Sequence, residues 1–252
     1  MARVACDVVV IGAGLAGLRA ATLLQGQGLD VHVLEARDRV GGKTWTVPAH
    51  GTSIDVGGQW VGPTQHHVLA LVEELGLELF ESAIEKPLDR DGAFAIVLDG
   101  VLHRLPSFGA DDLATLPVPA ESIEQFRAAS DEIVRLAAAV PTDAPWNTPW
   151  ARHWDSMTLE HWMHQQMSDP LARALFTAVG PNELAVAPVD ISVLSMMHQV
   201  AMAPPSEVSE RWRILGGAQQ MCIRLAERLG DRVHLADPVI SLDWSDDGVV
   251  VY

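Results

Sequence analysis

Cysteine is nearly absent from this chain of 252 residues, Cys6 and Cys222 being the only two. Two thiols so far apart provide neither a disulfide scaffold nor a set of zinc ligands, so a small secreted fold stapled by bridges is excluded. A reducing compartment fits, and both cysteines are expected to be buried free thiols. Long hydrophobic runs are missing too, and nothing is long enough to span a bilayer. The run Val8-Val9-Val10-Ile11 has no basic flank of weight and leads into a glycine turn rather than a cleavage site, so neither a secretory signal nor a membrane partner is expected and a cytoplasmic setting is read. Basic residues are scarce: 17 Lys and Arg against 33 Asp and Glu leave a net charge of −16. Such a surface repels phosphate backbones, which argues against nucleic acid, and mildly favours the approach of cations. No G-x-S-x-G run with triad partners occurs, which excludes an acyl hydrolase of that type.

With 48% hydrophobic and 20% charged residues, the chain has the composition of a globular domain that buries a core. Asp7 to Ile11 is a short β-branched run suited to a parallel strand, and Gly12 to Gly17 form a turn. Leu15 to Gln25 carries apolar residues at helical spacing and ends at Gly26 and Gly28. Val31 to Leu34 is a second strand, completing a βαβ unit with a right-handed crossover. Residues 37–63 are glycine-rich and aperiodic and read as extended loops. The pattern predicts a helix over 66–75 closed by Gly76, and a hairpin over 94–105 turning at Asp99-Gly100. Further helices are predicted over 120–139, from a Thr158 cap to about Met167, over 171–179, over 191–202 capped by Asp190, and over 219–229 stopped by Gly230. Short strands follow over 233–235, 239–244 and 249–252, with Asp246-Asp247-Gly248 as a turn.

Trp146, Trp150 and Trp154 recur every four residues and read as anchors of a loop onto the helical region. His153, His161 and His164 read as surface or helix-packing histidines, and His66-His67 as a polar helix start, so no metal site is assigned. The order of elements runs from α/β through an all-helical stretch and back to β. It implies one nucleotide-binding domain, 1–80 and 211–252, interrupted by a second domain over 81–210.

The chemistry is carried by Gly12-Ala13-Gly14-Leu15-Ala16-Gly17, a G-x-G-x-x-G run. It follows a strand, opens a helix and precedes Glu35 at the end of the next strand, the context of a dinucleotide site. Gly12 permits the tight turn, Gly14 lets backbone approach a pyrophosphate, and Gly17 lets the helix lie close to the sheet. The helix start at Leu15 and Ala16 offers N–H groups to phosphate. Glu35 accepts from ribose hydroxyls and repels a 2′-phosphate, which disfavours NADP.

Glu35-Ala36-Arg37-Asp38-Arg39-Val40-Gly41-Gly42-Lys43 then resembles the E-x-x-x-R-x-G-G-R run of the flavin amine oxidase superfamily, which includes monoamine, L-amino-acid and polyamine oxidases. The resemblance implies FAD, with Ala36, Arg37, Gly42 and Lys43 in the loop around its second phosphate. Lys43 replaces the usual arginine, keeping the charge but losing the fork. Asp55 to Gln65 is similar to the segment that passes the flavin ring. This implies that Gly57 and Gly58 let backbone approach the ring while Gln59 and Trp60 border the site; Trp60 as a plain core aromatic stays open. Gly216 to Gln220, with the helix and strand after it, resembles the return into the FAD domain, where Val239 sets its backbone against adenine. Met196, Met197 and Met202 with Leu194 form an apolar face, either lining a substrate cavity or packing helices.

The resemblance implies an α/β fold: a Rossmann-like FAD-binding domain of the GR2 type, interrupted by a mainly helical substrate-domain insert and incomplete at the C-terminus. Its activity is oxidation of an amine to an imine, with hydride passing to flavin and O2 reduced to hydrogen peroxide. The family's catalytic lysine has no match, because the only lysines are Lys43 and Lys86, and the only tyrosine is Tyr252. No catalytic residue is assigned. The expected partners are a small-molecule amine and O2, with a complementing chain or a homo-oligomer left open, and turnover by this chain is expected to be weak or absent. A desaturase-type relative, a non-catalytic FAD-binding fragment and an NAD dehydrogenase stand as alternatives.

Overall fold

The computed structural model describes residues 4–82, 94–180, 185–202, 210–246 and 248–252. The chain divides into two compact units, Met1–Ser82 with Glu210–Tyr252, and Ala83–Ser209.

The first unit begins with β1 (Val8–Ile11), α1 (Leu15–Gly26) and β2 (Val31–Leu34). The two strands pair in parallel with Val8 beside Val31 and Ile11 beside Leu34. Val31 and Val33 bury one side of β2, and Leu18 and Ala21 of α1 are fully buried with them. Residues 37–63, expected to be loops, instead hold a hairpin of β3 (Thr46–Ala49) and β4 (Thr52–Asp55) followed by β5 (Trp60–Val61). The hairpin turns at His50-Gly51, both at positive φ (48° and 79°), the backbone shape that matches strand twist in a two-residue turn. Histidine is an unusual occupant of that position, and the polar four-residue strands hide the alternation. Next come α2 (His66–Glu74) and β6 (Leu79–Glu81), and Gly76 at φ 63° ends the helical path. Lys86 and Pro87 lie outside the described residues.

In the second unit, β7 (Phe94–Leu98) and β8 (Val101–Leu105) form the expected hairpin, Leu98 beside Val101. The helices are α3 (Ala110–Leu113), α4 (Ala120–Ala137), α5 (Ala151–Ser156), α6 (Leu159–Gln166), α7 (Pro170–Val179) and α8 (Val193–Met202). Ile123, Phe126 and Ile133 of α4 meet Trp162, Phe176, Met196 and Met197 in one core, where Phe126 and Phe176 sit edge to face at 6.3 Å. Thr158 caps α6 by accepting the His161 N–H. The cap of α8 is Ser192, whose hydroxyl accepts the Ser195 N–H; Asp190 instead donates its N–H to the Ala187 carbonyl. Of the three spaced tryptophans, only Trp154 packs against this core. Trp146 and Trp150 are 70% and 80% exposed, because the proline-rich segment forms a short 3-10 turn and Trp150 takes a left-handed φ of 62°. Spacing by four therefore does not make a face there.

The chain returns to the first unit with β9 (Trp212–Ile214), α9 (Gln220–Leu229), β10 (Val233–His234), β11 (Leu242–Ser245) and β12 (Gly248–Val251). Strand β9 lies between β5 and β6, antiparallel to both. Met221, Cys222, Leu225 and Leu229 form the buried stripe of α9, which packs along α1. Strand β10 joins β2 in parallel, giving the order β1-β2-β10. Stacked His32 and His234 reinforce that join through a ring-nitrogen hydrogen bond of 2.7 Å. The strands expected from Val233 and Val239 are shorter, because residues 235–241 are irregular. Asp247, part of the expected turn, lies outside the described residues.

Cys222 is fully buried, whereas Cys6 is half-buried rather than buried as expected. Burial raises the thiol pKa at both, and at Cys6 the carboxylates of Asp30 and Asp7 raise it further. A raised pKa keeps a thiol protonated and unreactive at neutral pH. A disulfide reagent at pH 8 should label Cys6 slowly and Cys222 only in denaturant; native labelling of Cys222 would contradict the packing of α9.

Candidate functional site

The strand–turn–helix start is shaped by three glycines with different jobs. Gly12 takes φ 100° and donates its N–H to the Leu34 carbonyl at 2.8 Å. A Cβ on Gly17 would lie 2.2 Å from the Gly12 carbonyl oxygen and 3.2 Å from Val10, so the helix rests directly on the turn. A Cβ on Gly14 would meet nothing within 4 Å, so that face is open. Gly14 is the N-cap of α1, no side chain caps the helix, and its first turn carries no acidic residue. The N–H groups at the start, by Leu15 and Ala16, form an uncompensated positive end suited to phosphate.

Glu35 is 8% exposed. Its Oε2 accepts the Ala13 N–H at 2.8 Å and its Oε1 the Arg37 N–H at 2.9 Å. Each oxygen keeps a second lone pair, so a fixed carboxylate stands beside the glycine turn ready to accept from hydroxyls. The return strand flanks it: Glu35 N–H donates to the His234 carbonyl, while Asp237 and Ala236 N–H donate to the carbonyls of Glu35 and Arg37. Ala36 is exposed, and Val239, two residues past Asp237, is half-buried in the irregular stretch.

A second glycine loop lies on the first. Gly41 N–H donates to the Ala13 carbonyl at 2.8 Å, and Gly41 and Gly42 have φ 115° and 57°. A Cβ on Gly42 would come within 3.3 Å of the Gly14 Cα. Arg39, from the same matched run, braces this loop from within. Its guanidinium donates to the carbonyls of Val40 and Gly42 and covers the Trp45 ring at 4.5 Å. Lys43 is exposed.

The residues that fasten these loops had no role assigned from the sequence. Asp55 is buried, and its Oδ1 accepts from the Thr46 hydroxyl at 2.6 Å and the Ala218 N–H at 3.0 Å. Its Oδ2 faces Arg213 at 3.5 Å. Gln219, also buried, accepts the Thr46 N–H through Oε1 and donates from Nε2 to the Val40 carbonyl. Gly217, at φ 97°, has no room for a Cβ, which would fall 2.3 Å from Thr46 and 2.8 Å from Asp55. The signal was present as polar residues abutting glycine pairs, Asp55 before Gly57-Gly58 and Gln219 after Gly216-Gly217.

Gly57 and Gly58 differ. A Cβ on Gly57 would lie 2.1 Å from the Lys43 carbonyl oxygen, so close chain packing already demands that glycine. Gly58 donates its N–H to that carbonyl at 3.0 Å, while its own Cβ position has only an ordinary 4.0 Å contact. Gln59 and Trp60 are half-buried, and Trp60 lies beside Arg213, whose guanidinium is 5.4 Å from its ring. Away from this site, His161 bonds Gln165 and His153 sits edge-on to Trp154.

Among the described residues, then, the structure brings together Gly12, Gly14, Leu15, Ala16, Gly17, Glu35, Gly42 and the backbone of Arg37. It offers a helix start, a fixed acceptor and glycine backbone with space in front, which fits a nucleotide diphosphate such as that of FAD.

Residues 15–252 match the profile of a family described as flavin containing amine oxidoreductase. The chain is 34% identical over 253 residues to flavin-containing amine oxidase A of Canis lupus familiaris, covering 97% of this chain and 46% of that protein. It is 34% identical over 251 residues to putrescine oxidase of Kocuria rosea, covering 96% of this chain and 50% of that one. A solved putrescine oxidase bound to putrescine superposes with a TM-score of 0.79 at 35% identity, covering 98% of this chain and 54% of that one. Cyclohexylamine oxidase from Brevibacterium oxydans gives 0.79 at 31% identity, with the same coverage. The chain thus spans about half the length of the relatives it matches.

The two neighbouring glycines give a direct check. Gly57→Ala should lower the stability to unfolding sharply, since the methyl meets fixed backbone, while Gly58→Ala should leave it within about 0.5 kcal/mol of wild type. Equal melting temperatures for the two variants would contradict the packing of residues 43–45 against Gly57.

Proposed function

The chain belongs to the family of flavin-containing amine oxidoreductases, whose cofactor is FAD, and from that premise we propose that it forms the nucleotide-binding part of an enzyme oxidising amines. The observation that carries this reading is the pair of stacked glycine loops beside Glu35. In it, Gly14 keeps an open face although Gly17, three residues on, has none.

In this reading the start of α1 binds the pyrophosphate and Glu35 accepts from the ribose hydroxyls. Gly42 and Lys43 attend the second phosphate, the exposed ammonium of Lys43 giving charge without a bidentate grip. Residues 236–239, whose first two are held to Arg37 and Glu35 by backbone bonds, border the adenine. Gly58, Gln59 and Trp60 line the approach to the ring. Bound FAD supplies a two-electron acceptor, taking hydride from the carbon beside an amine nitrogen and passing the electrons to O2 to give imine and hydrogen peroxide. The protein's part is to bind and orient the cofactor, and the acidic surface favours a cationic substrate over an anionic one. Amine chemistry is supported by the putrescine and cyclohexylamine oxidases among the relatives.

We assign no residue the role of moving a proton at the substrate. For these residues alone we expect FAD uptake with little or no peroxide. Among the described residues, no helix is long and apolar enough to cross a membrane. The domain limits 1–80, 81–210 and 211–252 stay part of the proposal.

The test is an FAD titration followed by desalting and a visible spectrum. Wild type should keep flavin bands. Gly14→Ala should lose at least about tenfold in affinity while its stability to unfolding stays within about 0.5 kcal/mol of wild type, because its methyl meets cofactor and not protein. A colourless wild type, or a Gly14→Ala chain that binds as well, would overturn the reading.

A further inference from the structure

We infer that Arg213 is a positioning residue that holds the Trp60 wall in fixed relation to the loops of the nucleotide site; the inference rests on the cofactor reading above. Strand β9 places Arg213 directly opposite Trp60 of β5 on one side and Phe80 of β6 on the other. Opposed residues in antiparallel pairs share a face, so the three side chains form one row across the sheet. The opposite face, with Val61 and Ile214, is buried in the core of this unit. The guanidinium lies 5.4 Å from the Trp60 ring and 5.9 Å from the Phe80 ring, within cation–π range of both.

From the middle of that row the guanidinium also reaches Asp55, Nη2 to Oδ2 at 3.5 Å. The Asp55 side chain is 2% exposed and that of Arg213 28%, so the pair is largely shielded from water. The other oxygen of Asp55 holds the Thr46 hydroxyl and the Ala218 N–H, and the Thr46 N–H in turn donates to Gln219 Oε1. One side chain therefore connects an aromatic wall to the network that fastens the second glycine loop. Arg213 Nε is buried without a hydrogen-bond partner among the described residues. The side chain is thus held by ring faces and by one carboxylate, not by a mesh of neutral bonds. Any change in its charge or reach acts on Trp60 and Asp55 together. The Asp55 charge also offsets that of Arg213, so the wall does not carry an uncompensated cation where a cationic amine is to approach.

The test uses Arg213→Met and Arg213→Lys in the full chain labelled with 5-fluorotryptophan, the Trp60 fluorine resonance being identified by its loss in Trp60→Phe. Arg213→Met should move the Trp60 resonance more than those of the other tryptophans and weaken FAD binding roughly tenfold. Arg213→Lys, which keeps the cation, should restore most of both. A Trp60 resonance unmoved in Arg213→Met would overturn the inference, as would a lowered melting temperature with FAD affinity unchanged. If Arg213→Met does not fold, the lysine variant decides: a Trp60 resonance at its wild-type position, with FAD affinity nearer to wild type than that of Trp60→Phe, supports the role, and a random-coil Trp60 shift overturns it. A wild type that takes up no FAD would sink the cofactor reading by itself, and the Trp60 resonance would still decide whether Arg213 positions that ring.

Discussion

The hydrogen bond from Gly41 N–H to the Ala13 carbonyl, 2.8 Å long, is the contact on which the site depends. It draws two glycine loops from different parts of the chain into backbone contact, at a spacing that admits no side chain on Gly17, Gly41 or Gly217. Backbone polar groups at such a junction must be satisfied, since an orphaned buried group is costly. Much of the surrounding sequence supplies partners. Glu35 takes the Ala13 and Arg37 N–H groups, Arg39 takes the Val40 and Gly42 carbonyls, and Gln219 takes Val40 from the far side.

Function follows from what this bracing leaves free. Once Gly17 is committed to packing and Gly41 to the junction, Gly14 and the first N–H groups of α1 still face open space. The acceptor lone pairs of Glu35 stand beside the same turn, and Lys43, next after Gly42, is exposed. In the proposed reading, a cradle built in this way would meet the cofactor without first being ordered by it, which lowers the entropic cost of binding. The same frame extends through Asp55 and Arg213 to Trp60, so the glycine loops and the Trp60 ring are parts of one network.

The local parts of this site were legible in the sequence. The βαβ unit, the glycine run and Glu35 are adjacent in the chain, and their spacing is set by backbone geometry that few other arrangements share. The clamp was not legible, because its partners are distant: Gln219 and Thr46 are 173 residues apart, and Ala218 and Asp55 163. No local periodicity reports such a contact. The β3–β4 hairpin was missed for a different reason, since Thr46, Pro48, Thr52 and Ser53 give no apolar alternation and His50-Gly51 is an uncommon turn pair. The tryptophan spacing misled because a four-residue interval means a shared face only on a helix, and the chain at Trp146 and Trp150 is not yet one. Gly57 was legible as important, and the structure adds a reason that no local pattern shows: the neighbouring backbone of Lys43 leaves no room for a Cβ there.

The central claim is that the chain's own contacts hold the two glycine loops together before any cofactor arrives. Amide hydrogen exchange of the cofactor-free protein tests it most directly, read at Ala13 and Gly41. Strong protection at both, comparable to the β1–β2 ladder, is the predicted result. Exchange at rates typical of an open loop at these two amides, with the ladder still protected, would contradict it and would mean that the cradle forms only around its ligand.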